Sequence, residues 1–534
     1  MYDSTKGLWI AHCENGPLSI IGKMANRHGL VAGATGTGKT VTLQVMAESF
    51  CQAGVPCFMA DMKGDLSGIS QTGKSSGFIE KRMPEFGIEN PQFQSCPVRF
   101  YDVFGEQGHP MRCTISQMGP QLLTRILGLN DTQEGVLNIL FRIADERGLL
   151  LDDIKDLRSC LTFISEHASE YSQLYGNIAP ASVGAIQRAL LTLENDGADK
   201  FFGQPSFDIY DLLATEGGKG VMSVLAADKL MLKTKLYSTF LLWLLSELYV
   251  TLPEVGDMDL PKLIFFFDEA HMLFDGTSKA LVDKIEQVVR LIRSKGVGVY
   301  FVTQSPTDIP DTILGQLGNR VQHALRAFTP RDQKAVQVAA DTFRTNPTFN
   351  TYEAITNLET GEALVSFLDE KGAPSVVEKA NILFPLSQIG AISESERDQI
   401  IKRSKIYGKY DKLVERESAF EVLMAEKERQ LKEAEEAKEA VDKKGGKTTK
   451  AAKVPAGETK KNGIMSKVVK AVITAVTATA ATAIGTEVSN KVTGKKSKTT
   501  TKDNAGKVVK NATSAATRTI TREITRSILG NLGK

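Results

Sequence analysis

The chain contains a glycine-rich segment whose residue types and spacing suit the binding of a polyphosphate. It reads Gly33-Ala34-Thr35-Gly36-Thr37-Gly38-Lys39-Thr40 and satisfies the pattern G-x-x-x-x-G-K-[ST]. In this pattern the backbone N–H groups of the loop and of the following helix cradle phosphates. Lys39 would reach the β- and γ-phosphates, and the Thr40 hydroxyl would bind Mg²⁺. A glycine-rich turn without function is the alternative, but an apolar run before the loop and helical spacing after it favour a nucleotide site.

A pair of adjacent acids follows an apolar run later in the chain. Leu263–Phe267 is typical of a buried strand, and Asp268 and Glu269 come directly after it. Asp268 at the end of such a strand can hold Mg²⁺, and Glu269 would project towards the γ-phosphate and activate water. Solvated acids at a strand end are the alternative. Together with the phosphate loop, the pair favours hydrolysis of ATP over phosphoryl transfer to a small acceptor.

A further strand-like run ends in a polar amide. Val299–Thr303 is followed by Gln304, whose side chain could sense the γ-phosphate or orient the attacking water. A glutamine after a strand is unremarkable by itself. The order of phosphate loop, acidic strand and amide strand is what indicates a role in nucleotide hydrolysis.

Two arginines, Arg290 and Arg293, lie on the predicted helix between the acidic strand and the amide strand. A γ-phosphate transition state needs positive charge that the loop of one subunit supplies only in part. An arginine from a neighbouring subunit is the usual supplement. Arg293 is the candidate for this arginine finger and Arg320 is the second choice, and a surface salt bridge is an equally good interpretation of both.

These side chains need a sheet that brings strand ends together. Residues 26–32 predict a strand, Lys39–Gln52 a helix and Val55–Met59 the next strand, which is one strand-helix-strand unit. Such a unit begins a parallel sheet. Further strands are predicted at 221–226, 263–267, 299–303 and 321–326, a helix at 233–250, and a hairpin at 362–368 and 375–380. The prediction is an α/β fold with a parallel sheet and helices on both faces.

Composition divides the chain into five parts. Residues 1–113 and 216–392 are the two parts of the predicted ATPase core, and 114–215 is a helical insertion with Leu and Ile at three- and four-residue spacing. Residues 393–442 are predicted as a charged helix, and 443–534 as a basic, low-complexity tail with a terminal amphipathic helix.

Charge is distributed unevenly between the body and this tail. Residues 443–534 hold 20 Lys and Arg against 4 Asp and Glu, whereas the whole chain has a net charge of only +2, so the body is acidic. In the terminal amphipathic helix, Arg518, Arg522 and Arg526 border the apolar stripe. A tail of this kind suits an anionic partner such as nucleic acid, a membrane surface or a protein. A solvated tail without a partner is the alternative.

Other features exclude several classes of protein. The six cysteines form no CxxC pair, which argues against a disulfide framework and a zinc ribbon and fits a reducing compartment. The first residues have neither a basic segment nor a long apolar one, so no secretory signal is predicted. The apolar run 240–250 is too short to span a bilayer, and the run 464–492 is interrupted by charges. We expect a cytoplasmic protein without a transmembrane segment.

Six segments, taken in order, resemble the HerA/FtsK-like ATPases, with the bacterial YjgR-type subgroup as the closest group. They are GATGTGKT, DMKGDLSG, LIFFFDEAH, RSKGVGVYFVTQSP, LGNRVQHALRA and GEALVSFLDEKG, within about residues 15–390. The resemblance implies a RecA-like core, a homo-hexamer and ATP sites at subunit junctions. It also implies that Asp61, the match to an acidic residue after the second strand, contributes to ATP binding. Only some 30 residues precede the loop, so the N-terminal β-barrel of HerA is not expected.

Two functions follow from these observations. The first is a hexameric ATP-driven motor acting on double-stranded DNA. Against it, the body is acidic and contains no cluster of aromatic and basic residues typical of nucleic-acid platforms. The second is an ATP-gated assembly or switch protein that acts on a protein or membrane partner. Stimulation of hydrolysis by DNA would separate the two.

Overall fold

The computed structural model describes residues 2–3, 7–256, 258–274 and 279–445. Within them the strands are β1 (Tyr2–Asp3), β2 (Gly7–Cys13), β3 (Gly16–Ile20), β4 (Gly29–Ala32), β5 (Cys57–Asp61), β6 (Val98–Asp102), β7 (His109–Pro110), β8 (Thr215–Glu216), β9 (Lys219–Gly220), β10 (Met222–Ala226), β11 (Leu263–Phe267), β12 (Val297–Thr303), β13 (Asn319–Gln322), β14 (Glu362–Ser366) and β15 (Glu378–Ile382). All except the β8–β9 pair belong to one sheet.

The parallel part of the sheet carries the order β13-β4-β12-β11-β5-β10-β6-β7. The strands β4, β5, β10, β11 and β12 are buried at every residue. Strands covered on both faces read as continuous apolar runs, which is why the sequence predicts them. The predicted α/β class is confirmed. The strand predicted at 26–32 begins only at Gly29, because residues 22–27 form a 3₁₀ helix.

An antiparallel part extends the sheet beyond β13. It continues as β14, β15, β2 and β1, with β3 paired to β2. The predicted hairpin corresponds to β14 and β15, which pair in antiparallel register from Glu362–Asn381 to Val365–Glu378.

Fifteen α-helices lie in the described residues, and several of them cover both faces of the parallel strands. They are α1 (Lys39–Gln52), α2 (Gly77–Arg82), α3 (Ile115–Leu127), α4 (Asp131–Arg147), α5 (Ile154–Glu166), α6 (Ala168–Tyr175), α7 (Pro180–Asn195), α8 (Asp228–Met231), α9 (Thr234–Thr251), α10 (Lys279–Ile292), α11 (Asp311–Leu314), α12 (Pro330–Asp341), α13 (Thr351–Asn357), α14 (Glu394–Arg403) and α15 (Ala419–Gly445). Helix α1 packs on one face, where Leu43 and Phe50 join a core with Met59 and Phe266. Helices α9 and α10 pack on the other face.

Helices α3 to α7 occupy most of the segment predicted as a helical insertion. Three of them begin with capping boxes, at Thr114, Asn130 and Asp153. In a capping box the side chain of the first residue accepts a hydrogen bond from the backbone amide three residues later, and the side chain of that later residue accepts one from the backbone amide of the first. Their apolar residues, such as Leu137 and Leu161, are buried in the same core as α9. Burial of these apolar side chains holds the insertion against the sheet.

The predicted charged helix at 393–442 is not continuous. Helix α14 ends at Arg403, residues 404–418 are non-helical, and α15 begins at Ala419. Hydrogen bonds to distant residues, one of them in the helical insertion, account for the break. The Arg112 guanidinium donates to the carbonyl of Tyr410 at 2.6 Å, and the Ser418 hydroxyl donates to the Asp156 carboxylate at 2.6 Å. Buried polar groups satisfied in this way outweigh the helical propensity of a charged segment.

The basic tail from residue 446 onward, including the runs at 464–492 and 506–532, lies outside the described residues. Contacts divide the chain into a first unit, 1–429, and a second, 430–534. The elements discussed below belong to the first. None of the helices in the described part of the chain has both the length and the apolar character needed to cross a bilayer.

Candidate functional site

The glycine-rich loop connects the carboxyl end of β4 to the amino end of α1. Gly38 precedes α1 with φ +116°, a conformation that favours glycine because it lacks a Cβ atom. At Gly33, an added Cβ would lie 2.5 Å from the Cβ of His323. Thr35 and Gly36 are exposed at the tip, and Thr40 is the second residue of α1. The loop therefore presents backbone amides and a hydroxyl at the positive end of a helix dipole.

Backbone hydrogen bonds fasten this loop to neighbouring strands. The Ala34 amide donates to the carbonyl of Ala324 at 2.8 Å, beyond the end of β13. The Gly361 amide, before β14, donates to the carbonyl of Thr37 at 3.1 Å. Within the loop, the Thr37 hydroxyl donates to the carbonyl of Ala34 at 2.7 Å. The loop is shaped by the sheet before any nucleotide enters.

The Lys39 ammonium folds back over the loop. It donates to the carbonyls of Gly33 at 2.7 Å and Ala34 at 3.0 Å. Burial lowers its pKa, which the carboxylates of Glu269 and Asp268 oppose. The ammonium therefore lies between the loop and the acidic pair, where the terminal phosphates of a nucleotide would sit.

His323 supports the loop from behind, a role for which sequence reasoning gave no expectation. Its Nδ1 lies 3.0 Å from the carbonyl of Glu362, and its Nε2 lies 2.8 Å from the Thr42 hydroxyl. Burial lowers the pKa of His323 to about 4, so the ring is neutral. Since a carbonyl only accepts, Nδ1 carries the proton and Nε2 accepts from Thr42. The only signal in the sequence was a polar residue directly after a strand.

Asp268 and Glu269 extend from the end of β11 at the same sheet edge. The Glu269 amide donates to Oδ1 of Asp268 at 2.9 Å. Burial, and then the neighbouring charge of Glu269, raises the pKa of Asp268 to about 7. Glu269 adopts φ +46°, which is unfavourable for a residue with a side chain and is found where a site constrains the backbone.

Three side chains surround the Glu269 carboxylate. Gln304, directly after β12, donates from Nε2 to Oε2 at 3.3 Å. On the other side Lys63, which follows β5, places Nζ 3.7 Å from Oε1. His271 Nδ1 lies 3.5 Å from Oε2. The structure thus brings Glu269 and Gln304 together, as their positions after neighbouring strands imply. It also places Lys63 beside Glu269, and the only indication of this in the sequence was the position of Lys63 within the segment DMKGD.

Asp61 lies at the end of β5, buried with 2% of its surface exposed. Burial and the charge of Asp65 raise its pKa to about 6. Its carboxylate oxygens make no hydrogen bond of normal geometry to any described residue, although the amides of Gly64 and Leu66 and the Arg397 guanidinium lower its pKa. A buried carboxylate without a well-formed hydrogen bond is costly, so Asp61 is a candidate for contact with a ligand.

These donors fit a Mg²⁺ ion bound together with phosphates. Asp268 and Thr40 would supply hard oxygen ligands, and Asp61 lies at the neighbouring strand end. Among the described residues no group of three or more His, Cys, Asp or Glu could hold a metal alone. In nucleotide sites Mg²⁺ takes few protein ligands and completes its shell with phosphate oxygens and water.

The two finger candidates lie away from this cluster. Arg293 begins the 3₁₀ turn before β12, so it lies at the amino edge of the sheet, opposite the phosphate loop. Arg320 donates to the carbonyls of Leu317 at 2.9 Å, Thr342 at 3.0 Å and Leu314 at 2.9 Å. Its guanidinium is engaged within the subunit, which disfavours Arg320 as an arginine finger.

Comparisons with known proteins give one family and several distant likenesses. Residues 8–534 match the family described as Helicase HerA-like C-terminal. The chain is similar to a DNA double-strand break repair helicase HerA from Sulfolobus acidocaldarius, 30% identical over 99 residues, and to one from Sulfurisphaera tokodaii, 31% identical over 104 residues. These matches cover 18% and 19% of this chain and 19% and 20% of the relatives. The chain therefore spans about a fifth of the length of either relative.

Among solved structures, the chain is similar to the bacterial conjugative coupling protein TrwBdeltaN70 in its unbound form. The identity is 16%, the TM-score is 0.47, and the match covers 73% of this chain and 91% of that chain.

Proposed function

The chain belongs to the family described as Helicase HerA-like C-terminal, and on that premise we propose that it hydrolyses ATP to ADP and phosphate with Mg²⁺ as cofactor. The observation that carries the proposal is the contact of Gln304 with Glu269 at 3.3 Å. A carboxylate and an amide held together beside a phosphate loop can bind and activate one water.

Each residue then has a role in the reaction. The amides of the loop and Lys39 bind the phosphates, and Thr40 and Asp268 hold Mg²⁺, which when bound neutralises charge on the phosphate oxygens. Asp61 contributes to the ATP-binding site. Gln304 orients a water molecule, and Glu269 accepts its proton as the water oxygen attacks the γ-phosphorus. The bond from that phosphorus to the bridging oxygen breaks, and ADP leaves with the bond's electrons.

We further propose that hydrolysis drives a hexameric motor on double-stranded DNA. Support comes from the family description and from the names of the relatives, which are DNA repair helicases. The position of Arg293 at the amino edge of the sheet supports a neighbouring subunit as the recipient of its charge. An ATP-gated switch that acts on a protein or an anionic surface is the second candidate, favoured by the acidic body and basic tail.

Duplex DNA is expected to stimulate ATP hydrolysis by the full-length protein. Because binding to phosphates releases counterions, the stimulation should fall steeply between about 50 mM and about 200 mM salt. The measurement is the steady-state ATPase rate with and without duplex DNA, with heparin as a control polyanion that has neither bases nor a duplex. Equal rates with and without DNA at low salt would contradict the DNA motor and favour the switch.

Subunits carrying Arg293→Ala are expected to be inactive alone yet to regain hydrolysis when mixed with Glu269→Gln subunits. The Arg293→Ala subunit has an intact ATP site but provides no arginine finger, whereas the Glu269→Gln subunit has a defective site but provides Arg293. A junction at which the second subunit faces the site of the first is therefore complete. ATPase rates across mixing ratios test this. Arg290→Ala, which changes an exposed arginine near the end of α10, three residues before Arg293, is the matched control. A fully active Arg293→Ala protein, or no recovery on mixing, would exclude the trans role.

A further inference from the structure

Lys63 is the charged side chain beside the catalytic carboxylate to which the mechanism above gives no task. It lies in the turn after β5, and Gly64, with φ +79°, reverses the chain directly after it. The Lys63 Nζ lies 3.7 Å from Oε1 of Glu269, and the exposed side-chain fractions are 57% for Lys63 and 13% for Glu269. The lysine reaches in from solvent to a carboxylate that is largely covered.

Sheet topology places Lys63 and Gln304 on opposite sides of Glu269. Strand β11 has two neighbours, β12 and β5. Gln304 follows β12 and contacts one carboxylate oxygen, whereas Lys63 follows β5 and contacts the other. A water placed against the Glu269 carboxylate would therefore also lie near the Lys63 ammonium.

Lys63 also interacts with the other charges of the site. Burial lowers the pKa of Lys39 and raises that of Asp268, and the positive charge of Lys63 adds to the first shift and opposes the second. The ammonium groups of Lys39 and Lys63 thus share one small space with the carboxylates of Asp268 and Glu269. A γ-phosphate carries more negative charge than one carboxylate, so on entering this space it would attract the more mobile ammonium.

We propose that Lys63 is a second lysine, besides Lys39, that binds the γ-phosphate. Its ammonium pairs with Glu269 in the nucleotide-free protein and moves to the γ-phosphate oxygens when ATP binds. This inference rests on the proposed ATPase function and deepens it. The transfer frees Glu269 to receive a proton from water only when a γ-phosphate is present. Lys63 then distinguishes ATP from ADP and couples that distinction to the catalytic carboxylate.

The test compares the binding of ADP and of a non-hydrolysable ATP analogue, each with Mg²⁺, to wild-type and Lys63→Ala proteins. The loss of one charge-assisted contact should weaken analogue binding about tenfold while ADP binding changes by less than about twofold. Turnover of ATP should fall by about tenfold or more. Lys63→Arg should retain part of the analogue affinity and part of the turnover, because the positive charge is kept. Lys74→Ala, an exposed lysine in the following segment, should match wild type in all of these.

A lysine that only holds Glu269 in place gives a different pattern. Turnover would fall, but the ratio of analogue to ADP affinity would stay at the wild-type value, and that result would overturn the proposal. The binding ratio can be measured whether or not the protein hydrolyses ATP. Failure of wild-type hydrolysis would therefore refute the ATPase function, while an unchanged ratio in Lys63→Ala would refute the role of Lys63.

Discussion

The Glu269→Gln protein is expected to bind ATP with Mg²⁺ and to retain it unhydrolysed, with turnover about 10²- to 10⁴-fold below wild type. The amide has nearly the shape of the carboxylate and leaves Asp268 in place, but it cannot accept a proton from water. Removing the negative charge next to Lys39 and Asp268 should also leave ATP affinity equal to or higher than that of wild type. Single-turnover hydrolysis and nucleotide retention on a filter measure both effects.

Glu370→Gln provides the matched control for this variant. Glu370 is exposed in the loop between β14 and β15, so the same change of charge there should alter neither turnover nor retention. If the Glu269→Gln protein hydrolysed ATP at the wild-type rate, another group would have to activate the water, and the assignment of Glu269 would be wrong.

Lys39→Ala is expected to remove binding of both ATP and ADP, with affinities at least about 100-fold lower. In the structure the Lys39 ammonium bonds to the carbonyls of Gly33 and Ala34, so it already lies against the loop that would hold the phosphates. Without it the loop amides remain, but the phosphate charge loses its main side-chain counterion. Titration with a fluorescent nucleotide measures the loss.

The fold should survive this substitution. The loop is fastened to Ala324 and Gly361 through backbone hydrogen bonds that do not involve Lys39, so the melting temperature in the absence of nucleotide should stay close to that of wild type. Loss of ADP as well as ATP distinguishes Lys39, which would contact both terminal phosphates, from Lys63, whose variant should lose ATP preferentially. ATP binding by a folded Lys39→Ala protein with wild-type affinity would contradict the assignment.

Local sequence predicted the elements that carry chemistry because each depends on neighbours along the chain. The phosphate loop needs glycines at set positions before Lys39, and its shape follows from that spacing. Strands such as β11 are buried on both faces and therefore appear as apolar runs that end where solvent begins. Local pattern alone therefore places the acids at 268 and 269 and the amide at 304 at strand ends.

The contacts of Arg320 and the non-helical conformation of residues 404–418 could not be predicted in the same way. Arg320 looks available in the sequence, yet its guanidinium is occupied by three carbonyls that a distant loop and its own turn bring to it. The segment 404–418 has the composition of a charged helix, but hydrogen bonds to the side chains of Arg112, before the insertion, and Asp156, within it, hold the segment in a non-helical path. Such competing partners lie far away in sequence and leave no local pattern.

By itself, the sequence determined the position of the glycine-rich loop, the acidic pair, the amide after β12 and the α/β class, since all of these follow from the spacing of residues within one element. Only the tertiary structure decided which strand ends meet. Pairing of β5 with β11 brings Lys63 to Glu269, and pairing of β13 with β4 and β14 brings His323 behind Gly33. The reason is physical: strand order is set by packing of whole faces over long sequence separations, whereas periodicity records only which face of an element is buried.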